Sequence, residues 1–404
     1  MDRREWRQAI HQLPVFDTHT HLNKPGVPIP AQTFWDIAHY FWFLQELWSV
    51  GYPRTAAELP EGERVERFAS AFNAVRNTHW HRVVCHICRN LYGVPLVNAE
   101  GLCTNQAVLG VDAAVRERAT QPEWAQSVVD ALNIRRIAVN ELGDTPFPGL
   151  PNVAVAVPVW EDHRLWVERL VATDDPGGAV EDARAAIGDR VAVLAGMGIR
   201  GMRVEAEVFD AAGNRAVAMT DTVTGGPLEA WQAEALLAHA CFAALSEHAM
   251  FAQLFLGIER DVSPSTAMAV NDPRRVTDLY PLLERYDCGF ELVMGSPQNN
   301  MDAAQAARIY PNAHVGGLWW YNFRQSTYNQ AMQVRVEAVP ASKSVIIASD
   351  ARCIEWCYGK ILLVKWFLAD FLHRQVQHDW LSEADALWVA REWLHDAAAR
   401  RYVG

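Results

Sequence analysis

Eight short apolar segments recur along this 404-residue chain, and stretches with helical periodicity separate most of them. They lie at 15–19, 134–140, 153–160, 199–205, 251–257, 289–295, 313–318 and 344–350. Short apolar runs bounded by turn residues are typical of strands buried in a parallel sheet. Because strands and helices alternate through eight strands, the sequence predicts an α/β fold, a (β/α)8 TIM barrel.

One long stretch, residues 32–133, interrupts this alternation directly after the first strand. Apolar residues recur there at spacings of three and four, and Gly51, Gly93 and Gly110 stand where helices could end. Half of all residues are hydrophobic, which is ample for one large core. We therefore predict that residues 1–404 form a single barrel domain and that residues 32–133 are a helical insertion within it.

Charge and composition narrow the classes of partner. The formal net charge of −12 disfavours binding to nucleic acid or to an anionic membrane. No uncharged apolar run reaches the roughly 18 residues of a membrane span, and the polar start at 1–6 lacks the apolar core of a secretory signal. Seven scattered cysteines fit a reducing compartment better than a disulfide framework. We expect a cytoplasmic homo-oligomer that binds a small molecule.

Two histidines, His19 and His21, follow the apolar residues of the first predicted strand. Side chains two residues apart on a strand point to the same side, so both imidazoles can bind one metal ion. Asp350 ends the eighth predicted strand, which neighbours the first in a closed barrel, and active sites lie at this end of barrel strands. These residues predict a metal site. The alternatives are two histidines on a surface loop and an aspartate that caps the following helix.

Five short motifs, in the same order along the chain, resemble those of the uronate isomerases, a family of the amidohydrolase superfamily. They are Asp17-Thr18-His19-Thr20-His21-Leu22, Ala38-His39-Tyr40-Phe41-Trp42, Thr78-His79-Trp80-His81, Trp319-Trp320-Tyr321-Asn322 and Ser349-Asp350-Ala351-Arg352. The resemblance is distant and runs over most of the chain. It implies a (β/α)8 barrel of the metal-dependent hydrolase type with a helical insertion after strand 1.

The resemblance also implies the chemistry of the site. It implies one divalent metal ion, usually zinc, held by His19, His21 and Asp350, and the interconversion of an aldose acid and a ketose acid such as glucuronate and fructuronate. Asp350 or metal-bound water would act as the base, Tyr40 or His39 would shuttle a hydroxyl proton, and Arg352 would hold an oxyanion or a carboxylate. The substrate-binding residues that it implies are Trp319, Trp320, Asn322, Arg260 and His81.

Some positions depart from the pattern of the family. Phe255 stands where the family has a fifth-strand histidine, and Glu161 stands where it has an arginine suited to a substrate carboxylate. Arg260 matches, in the loop predicted after Gly257-Ile258. Glu161 would repel a uronate unless Arg164 or Arg203 compensates. The sequence therefore supports the metal site more strongly than the uronate pocket.

Three functions are compatible with these residues. The leading one is a metal-dependent aldose–ketose isomerase that acts on a sugar acid. The second is a mononuclear metal-dependent hydrolase of an amide, ester or lactone, or a lyase, in which the same ligands would activate water. The third is a binding protein without catalysis on the same scaffold, which the altered pocket motivates and the intact metal ligands disfavour.

Overall fold

The computed structural model describes residues 1–22, 29–140, 150, 152–160, 162–204, 228–263, 266–269, 274–319 and 322–404, with the backbone only at 259–263 and 266–269. The chain divides into two compact units. Unit 1 comprises Met1–Ile137, Gly143–Ala154 and Ser349–Arg374, and unit 2 comprises Ala138–Leu142, Val155–Ala348 and Gln375–Gly404. Among the described helices, none is long and apolar enough to cross a membrane.

The described helices and strands follow each other in this order. They are α1 (Arg3–Gln12), β1 (Val15–Thr20), α2 (Phe34–Ala38), α3 (Phe41–Ser49), α4 (Glu61–Ala74), α5 (His79–Tyr92), α6 (Asn105–Ala119), α7 (Trp124–Asp130), β2 (Ile134–Val139), β3 (Ala154–Ala156), α8 (His163–Ala172), α9 (Pro176–Gly196), β4 (Gly201–Val204), α10 (Ala230–Glu247), β5 (Phe251–Leu256), β6 (Ile258–Ser263), β7 (Thr266–Ala269), α11 (Tyr280–Arg285), β8 (Gly289–Met294), α12 (Asn299–Ile309), β9 (Ala313–Val315), α13 (Gln325–Ala338), α14 (Ile354–Gln377), α15 (Glu383–Arg391) and α16 (Ala397–Tyr402). After β3, a helix precedes most of the strands, as the sequence predicts, and the hairpin β6–β7 is the exception among the described residues.

In unit 1, β1 is buried along its whole length. A strand buried on both faces is what a parallel sheet covered by helices requires. The amide of Val15 donates to the carbonyl of Asn133 at 3.0 Å, and Thr20 pairs in parallel with Ala351. β1 therefore lies between β2 and the segment around Ala351, as the first strand of a closed barrel does.

Helices α2 to α7 of unit 1 fill most of residues 32–133. Phe34, Phe68 and Phe72 are fully buried between them, with ring centroids 5.3 Å apart in both the Phe34–Phe68 and the Phe68–Phe72 pair. The Thr78 hydroxyl accepts from the amide of His81 and caps α5, as threonine commonly does at a helix start. The helical content of this region is confirmed. Its place as an insertion within a single domain stays a prediction.

Unit 2 contains the parallel sheet β4–β5–β8–β9. Its register pairs Gly201 with Phe251, Phe251 with Gly289, and Phe290 with Ala313. The outer faces of these strands pack on apolar residues of α9 and α10. The predicted strand at 344–350 is only partly regular, because isolated bridges join Val315 to Ser344 and Leu318 to Ile347 in place of a continuous ladder.

An antiparallel hairpin, β6 and β7, follows β5 and precedes β8 along the chain, and the sequence did not predict it. Ile258 pairs with Ala269, and the register shifts between Glu259 and Ser263. The predicted loop at Arg260 is therefore wrong, because its backbone belongs to β6. The polar residues Glu259, Arg260 and Asp261 hid the strand, because they interrupt the apolar pattern from which strands are predicted.

The interior of unit 2 also holds a buried charge. Glu291 of β8 is fully buried, and its Oε1 accepts from the hydroxyl of Tyr402 at 2.8 Å. The guanidinium of Arg401 donates to Oε2 of the same carboxylate, and Nε2 of Gln253 donates to the Tyr402 hydroxyl at 2.8 Å. The residues around α16 thus neutralise and hydrogen bond a carboxylate that the sheet buries.

Candidate metal centre

His19, His21 and Asp350 form the one group of metal-ligand type found among the described residues, and their ligand atoms all lie within 4.8 Å of one another. Nε2 of His19 lies 3.1 Å from Oδ1 of Asp350, and Nε2 of His21 lies 3.2 Å from the same oxygen. The two rings are nearly perpendicular, with centroids 4.8 Å apart. Both imidazoles thus lie against one carboxylate oxygen. The structure brings together the three side chains that the sequence predicted to converge, and their binding of a metal ion stays a prediction.

The backbone fixes Asp350 in a conformation that few side chains adopt. Its φ is +54°, in the left-handed region. The amide of Asp350 donates to the carbonyl of His19 at 2.9 Å, and the amide of His21 donates to the carbonyl of Ala351 at 2.8 Å. Such strained residues concentrate at functional sites, where the surrounding structure holds them. The parallel pairing with β1 therefore sets the direction in which this carboxylate points.

The second oxygen of Asp350 faces two aromatic residues of the helical region. Nε1 of Trp42 donates to Oδ2 at 2.6 Å, and the hydroxyl of Tyr40 lies 3.4 Å from Oδ2 while donating to the Asp350 carbonyl at 2.8 Å. Tyr40 precedes α3 and Trp42 lies in its first turn. The two oxygens are thus divided, since Oδ1 faces the imidazoles and Oδ2 faces hydrogen-bond donors.

Lys360 of α14 lies behind Tyr40 and is buried. Its Nζ donates to the Tyr40 hydroxyl at 2.8 Å and to the carbonyl of Ser349. The ammonium also lies 4.6 Å from the ring centroid of Tyr40 and 5.0 Å from that of Trp80, within the range of cation–π attraction. Because an ammonium has no acceptor, the Tyr40 hydroxyl accepts from Lys360 and directs its own proton towards Asp350.

The charges of the centre shift the pKa values of its acids in opposite directions. Burial raises the pKa of Asp350, but the hydrogen bonds from His19 and His21 outweigh burial and hold it well below its usual value. Burial, and then the charge of Asp350, raise the pKa of Tyr40 well above 10. Burial lowers the pKa of Lys360 to about 8, against the attraction of Asp350 and Asp17. Near neutral pH the carboxylate is therefore ionised and the phenol is protonated.

Three other predicted site residues of unit 1 have different surroundings. Nε2 of His39 lies 2.9 Å from the Tyr52 hydroxyl, and burial lowers its pKa to about 4. The ring of His81 packs at a tilt against that of Phe72, with centroids 4.0 Å apart. Arg352 is exposed, and its charge acts to lower the pKa of Tyr40. The roles implied for these three residues stay predictions.

The remaining predicted residues lie in unit 2. Trp319 is buried with its ring edge-on to Phe255 at 4.9 Å. The fully buried Asn322 donates to the carbonyl of Trp319 at 3.0 Å and accepts from Asn300 at 3.0 Å. Trp320, Glu161 and the side chain of Arg260 lie outside the described residues. The substrate contacts implied for this set stay predictions.

Sequence reasoning missed two features of the centre. It did not find Lys360, although a lysine directly before the apolar run of Ile361 to Val364 signals a buried charge with a specific partner. It placed Trp42 in a motif but gave it no contact with Asp350. The signal for that contact is the i, i+2 spacing of Tyr40 and Trp42 across a helix start, where neighbouring residues can converge on one atom.

No protein-family model and no curated protein sequence matches the chain. Solved structures do match it in three dimensions. A uronate isomerase from Thermotoga maritima is similar with a TM-score of 0.78 and 13% identity, over 99% of this chain and 97% of the other. A uronate isomerase from Bacillus halodurans C-125 follows with a TM-score of 0.74 and 16% identity, over 98% and 95%.

A third similar structure, from Lactobacillus casei ATCC 334, has a name that proposes a metal-dependent hydrolase. Its TM-score is 0.60 at 13% identity, over 98% of this chain and 96% of the other. At such identities the likeness shows the fold alone. It confirms the predicted fold class, the (β/α)8 barrel, because the match to the uronate isomerases runs over nearly the whole of each chain.

Proposed function

We propose that this protein is a metal-dependent aldose–ketose isomerase that acts on a uronate-like sugar acid. The observation that carries the proposal is the division of Asp350, whose Oδ1 faces two imidazoles while Oδ2 faces the Tyr40 and Trp42 donors. In this arrangement Oδ1 of Asp350 can bind a cation together with the imidazoles, while Asp350 and Tyr40 are close enough to exchange protons with a substrate. The structural likeness to proteins named uronate isomerases supports the same reaction class.

The donor set fits one divalent cation. Two imidazole nitrogens and one carboxylate oxygen, all within 4.8 Å of one another, match the ligands that catalytic zinc uses, and they leave positions for substrate. We therefore assign His19, His21 and Asp350 as ligands and zinc as the metal. When bound, such an ion polarises a carbonyl or hydroxyl oxygen of the substrate as a Lewis acid.

The protein's own residues would move the protons. Isomerisation removes a proton from C2 of the aldose and returns it to C1, while the C2 hydroxyl proton passes to the oxygen on C1. We assign the carbon-bound proton to the Asp350 carboxylate and the hydroxyl proton to Tyr40, whose donors and acceptors form a chain from Lys360 to Asp350. The exposed Arg352 would bind the substrate carboxylate. The substrate-binding roles that the resemblance implies for His39, His81, Trp319, Trp320, Asn322 and Arg260 are part of the same proposal.

A second candidate is hydrolysis by the same ligands. The structure whose name proposes a metal-dependent hydrolase shares this fold, and Phe255 removes a fifth-strand ligand that a uronate site would use. Hydrolysis needs a base beside the metal, which Asp350 also supplies. The two candidates differ in product, since only isomerisation yields a ketose acid from an aldose acid without adding water.

Cellular setting and assembly belong to the proposal as well. All seven cysteines are free, which suits a reducing compartment, and we place the protein in the cytoplasm as a homo-oligomer with a small-molecule substrate. Size-exclusion chromatography with light scattering measures the assembly state directly.

The decisive experiment measures metal and turnover on one sample. We expect about one metal ion per chain, and ketose acid formation from D-glucuronate or D-galacturonate. The double variant His19→Ala, His21→Ala should lose both metal and turnover, whereas the control His248→Ala, at an exposed position, should keep both. Bound metal without ketose formation, together with hydrolysis of an amide, ester or lactone, would replace the isomerase by the hydrolase. Turnover that survives in the double variant would contradict the metal mechanism.

A further inference from the structure

One face of α3 is directed towards the metal centre. Trp42 lies on that face, since its indole reaches Oδ2 of Asp350. Residues three and four positions later share a helix face, so Gln45 and Glu46 follow Trp42 along it, about 5–6 Å from residue to residue. Phe43 and Leu47 occupy the other side and are fully buried. The fold therefore places the amide of Gln45 and the carboxylate of Glu46 one helical turn away from Trp42, which donates a hydrogen bond to the proposed metal ligand Asp350.

Both side chains carry a buried polar atom without a hydrogen-bond partner. Nε2 of Gln45 and Oε2 of Glu46 are each closed off from solvent and unpartnered. Buried donors and acceptors are nearly always satisfied in native proteins, and an unsatisfied one calls for a specific explanation. Here the unsatisfied pair consists of one donor and one acceptor on neighbouring residues. A ligand group that both donates and accepts would satisfy the two atoms together.

The electrostatics of Glu46 point to a neutral ligand group that donates. Burial raises its pKa to about 6, while the hydroxyl of Thr78 acts to lower it. Among the described residues, no cation contributes to this balance. At neutral pH the carboxylate is mainly ionised, and it accepts hydrogen bonds without competition from a protein salt bridge.

We propose that Gln45 and Glu46 form a subsite that binds hydroxyl groups of the substrate, next to the carbon atoms that react at the metal centre. A sugar hydroxyl donates to the Glu46 carboxylate and accepts from the Gln45 amide, which is the pairing that the two unpartnered atoms require. The inference rests on the proposed function for the reaction and for the acid group, and the subsite itself accounts for the hydroxyl groups. It selects a polyhydroxylated acid over an acid with an apolar chain.

The test measures binding of D-gluconate, a polyhydroxylated acid that has no carbonyl to isomerise. Calorimetry of the metal-loaded full chain should give a dissociation constant that rises about 10- to 100-fold in Glu46→Gln, since a hydrogen bond to a charged group is lost. Gln45→Leu should raise it about 2- to 10-fold, as for a neutral hydrogen bond. The matched control Glu63→Gln removes an exposed glutamate of α4 that pairs with Arg67, and it should bind like the wild type.

The outcomes separate this inference from the isomerase proposal. One outcome is that the wild type turns over neither D-glucuronate nor D-galacturonate while Glu46→Gln still binds D-gluconate more weakly than the wild type does. In that case the isomerase proposal fails and the subsite stands. If Glu46→Gln and Gln45→Leu both bind D-gluconate as the wild type does, or if the wild type does not bind it, the subsite is overturned. Thermal unfolding of each variant confirms that it is folded. If the wild type turns over D-glucuronate, the KM of Glu46→Gln for this substrate should rise by a larger factor than its kcat falls.

Discussion

Trp42→Phe gives the sharpest test of how the metal centre is built. The substitution keeps an aromatic ring next to Phe41, whose ring centroid lies 4.6 Å from that of Trp42, and removes the N–H group that donates to Asp350 together with part of the indole. Tyr40 remains 3.4 Å from Oδ2, which is too long for a strong hydrogen bond. The variant should therefore leave the metal-binding carboxylate free to rotate away from the imidazoles.

The magnitude follows from the length and charge of the lost bond. At 2.6 Å, the bond from Trp42 to the ionised Asp350 is short and charge-assisted, and hydrogen bonds to charged groups contribute about 1.5–3 kcal/mol. Loss of a residue that orients a metal ligand commonly weakens metal binding about 10- to 100-fold, or roughly 1.4–2.8 kcal/mol. The two estimates agree, and we expect Trp42→Phe to weaken metal affinity within that range.

The assay uses Co²⁺ as a probe for the zinc site. The rate of Co²⁺ transfer to a chelator reports affinity, and the visible absorption of bound Co²⁺ reports whether the ligand set is retained. Trp48→Phe is the matched control, because Trp48 lies on the same helix but stacks under Arg54, whose Cζ is 4.6 Å from its ring centroid. If Trp42→Phe holds Co²⁺ as tightly as the wild type while His19→Ala loses it, the orienting role of Trp42 is refuted.

Three further substitutions test other parts of the argument. Lys360→Met should lower kcat about 10- to 100-fold with unchanged metal content, because Tyr40 loses the donor that directs its proton, and Lys360→Arg should restore part of the rate; equal kcat values would contradict this. Glu46→Gln should flatten the pH dependence of stability. In the folded protein the pKa of Glu46 is about 6, above its usual 4.5, so the folded chain binds more protons than the unfolded chain between these pH values. The wild type therefore loses stability as the pH rises from 4.5 to 6, by about 1 kcal/mol after allowance for solvent screening. Urea unfolding at pH 4.5 and 7 measures the difference from wild type, and an unchanged slope would count against it. Arg401→Met should reduce the free energy of unfolding by about 3 kcal/mol, because Glu291 stays buried without its cation, and adding Glu291→Gln should recover most of the loss; a fully stable single variant would refute this.

The residues that the sequence located correctly are those whose signal is local. His19 and His21 follow a buried apolar run, so strand periodicity alone places both imidazoles on one side. Asp350 required one further step, the count of strands that makes the first and eighth neighbours. The pairing of Thr20 with Ala351 confirms that step.

The residues that the sequence did not locate depend on packing between elements. Lys360 meets Tyr40 across 320 positions, and only the rotation of α14 about its axis decides which of its side chains faces the centre. Apolar residues flank Lys360 in the sequence, so their periodicity predicts that this face of α14 is part of the hydrophobic core. The hairpin around Arg260 was missed because three consecutive polar residues, 259–261, interrupt the apolar pattern of its first strand, and only the pairing with the second strand defines it.

The proposed metal ligands come from parts of the chain that are far apart in sequence. His19 and Asp350 are 331 positions apart, and closing a loop of that length in an unfolded chain costs roughly 5 kcal/mol of conformational entropy. A bound cation would act as a reversible cross-link that forms only in the folded protein and stabilises it in proportion to the logarithm of free metal. Metal supply would then set how long the protein survives proteolysis in the cell, in addition to how fast it turns over substrate.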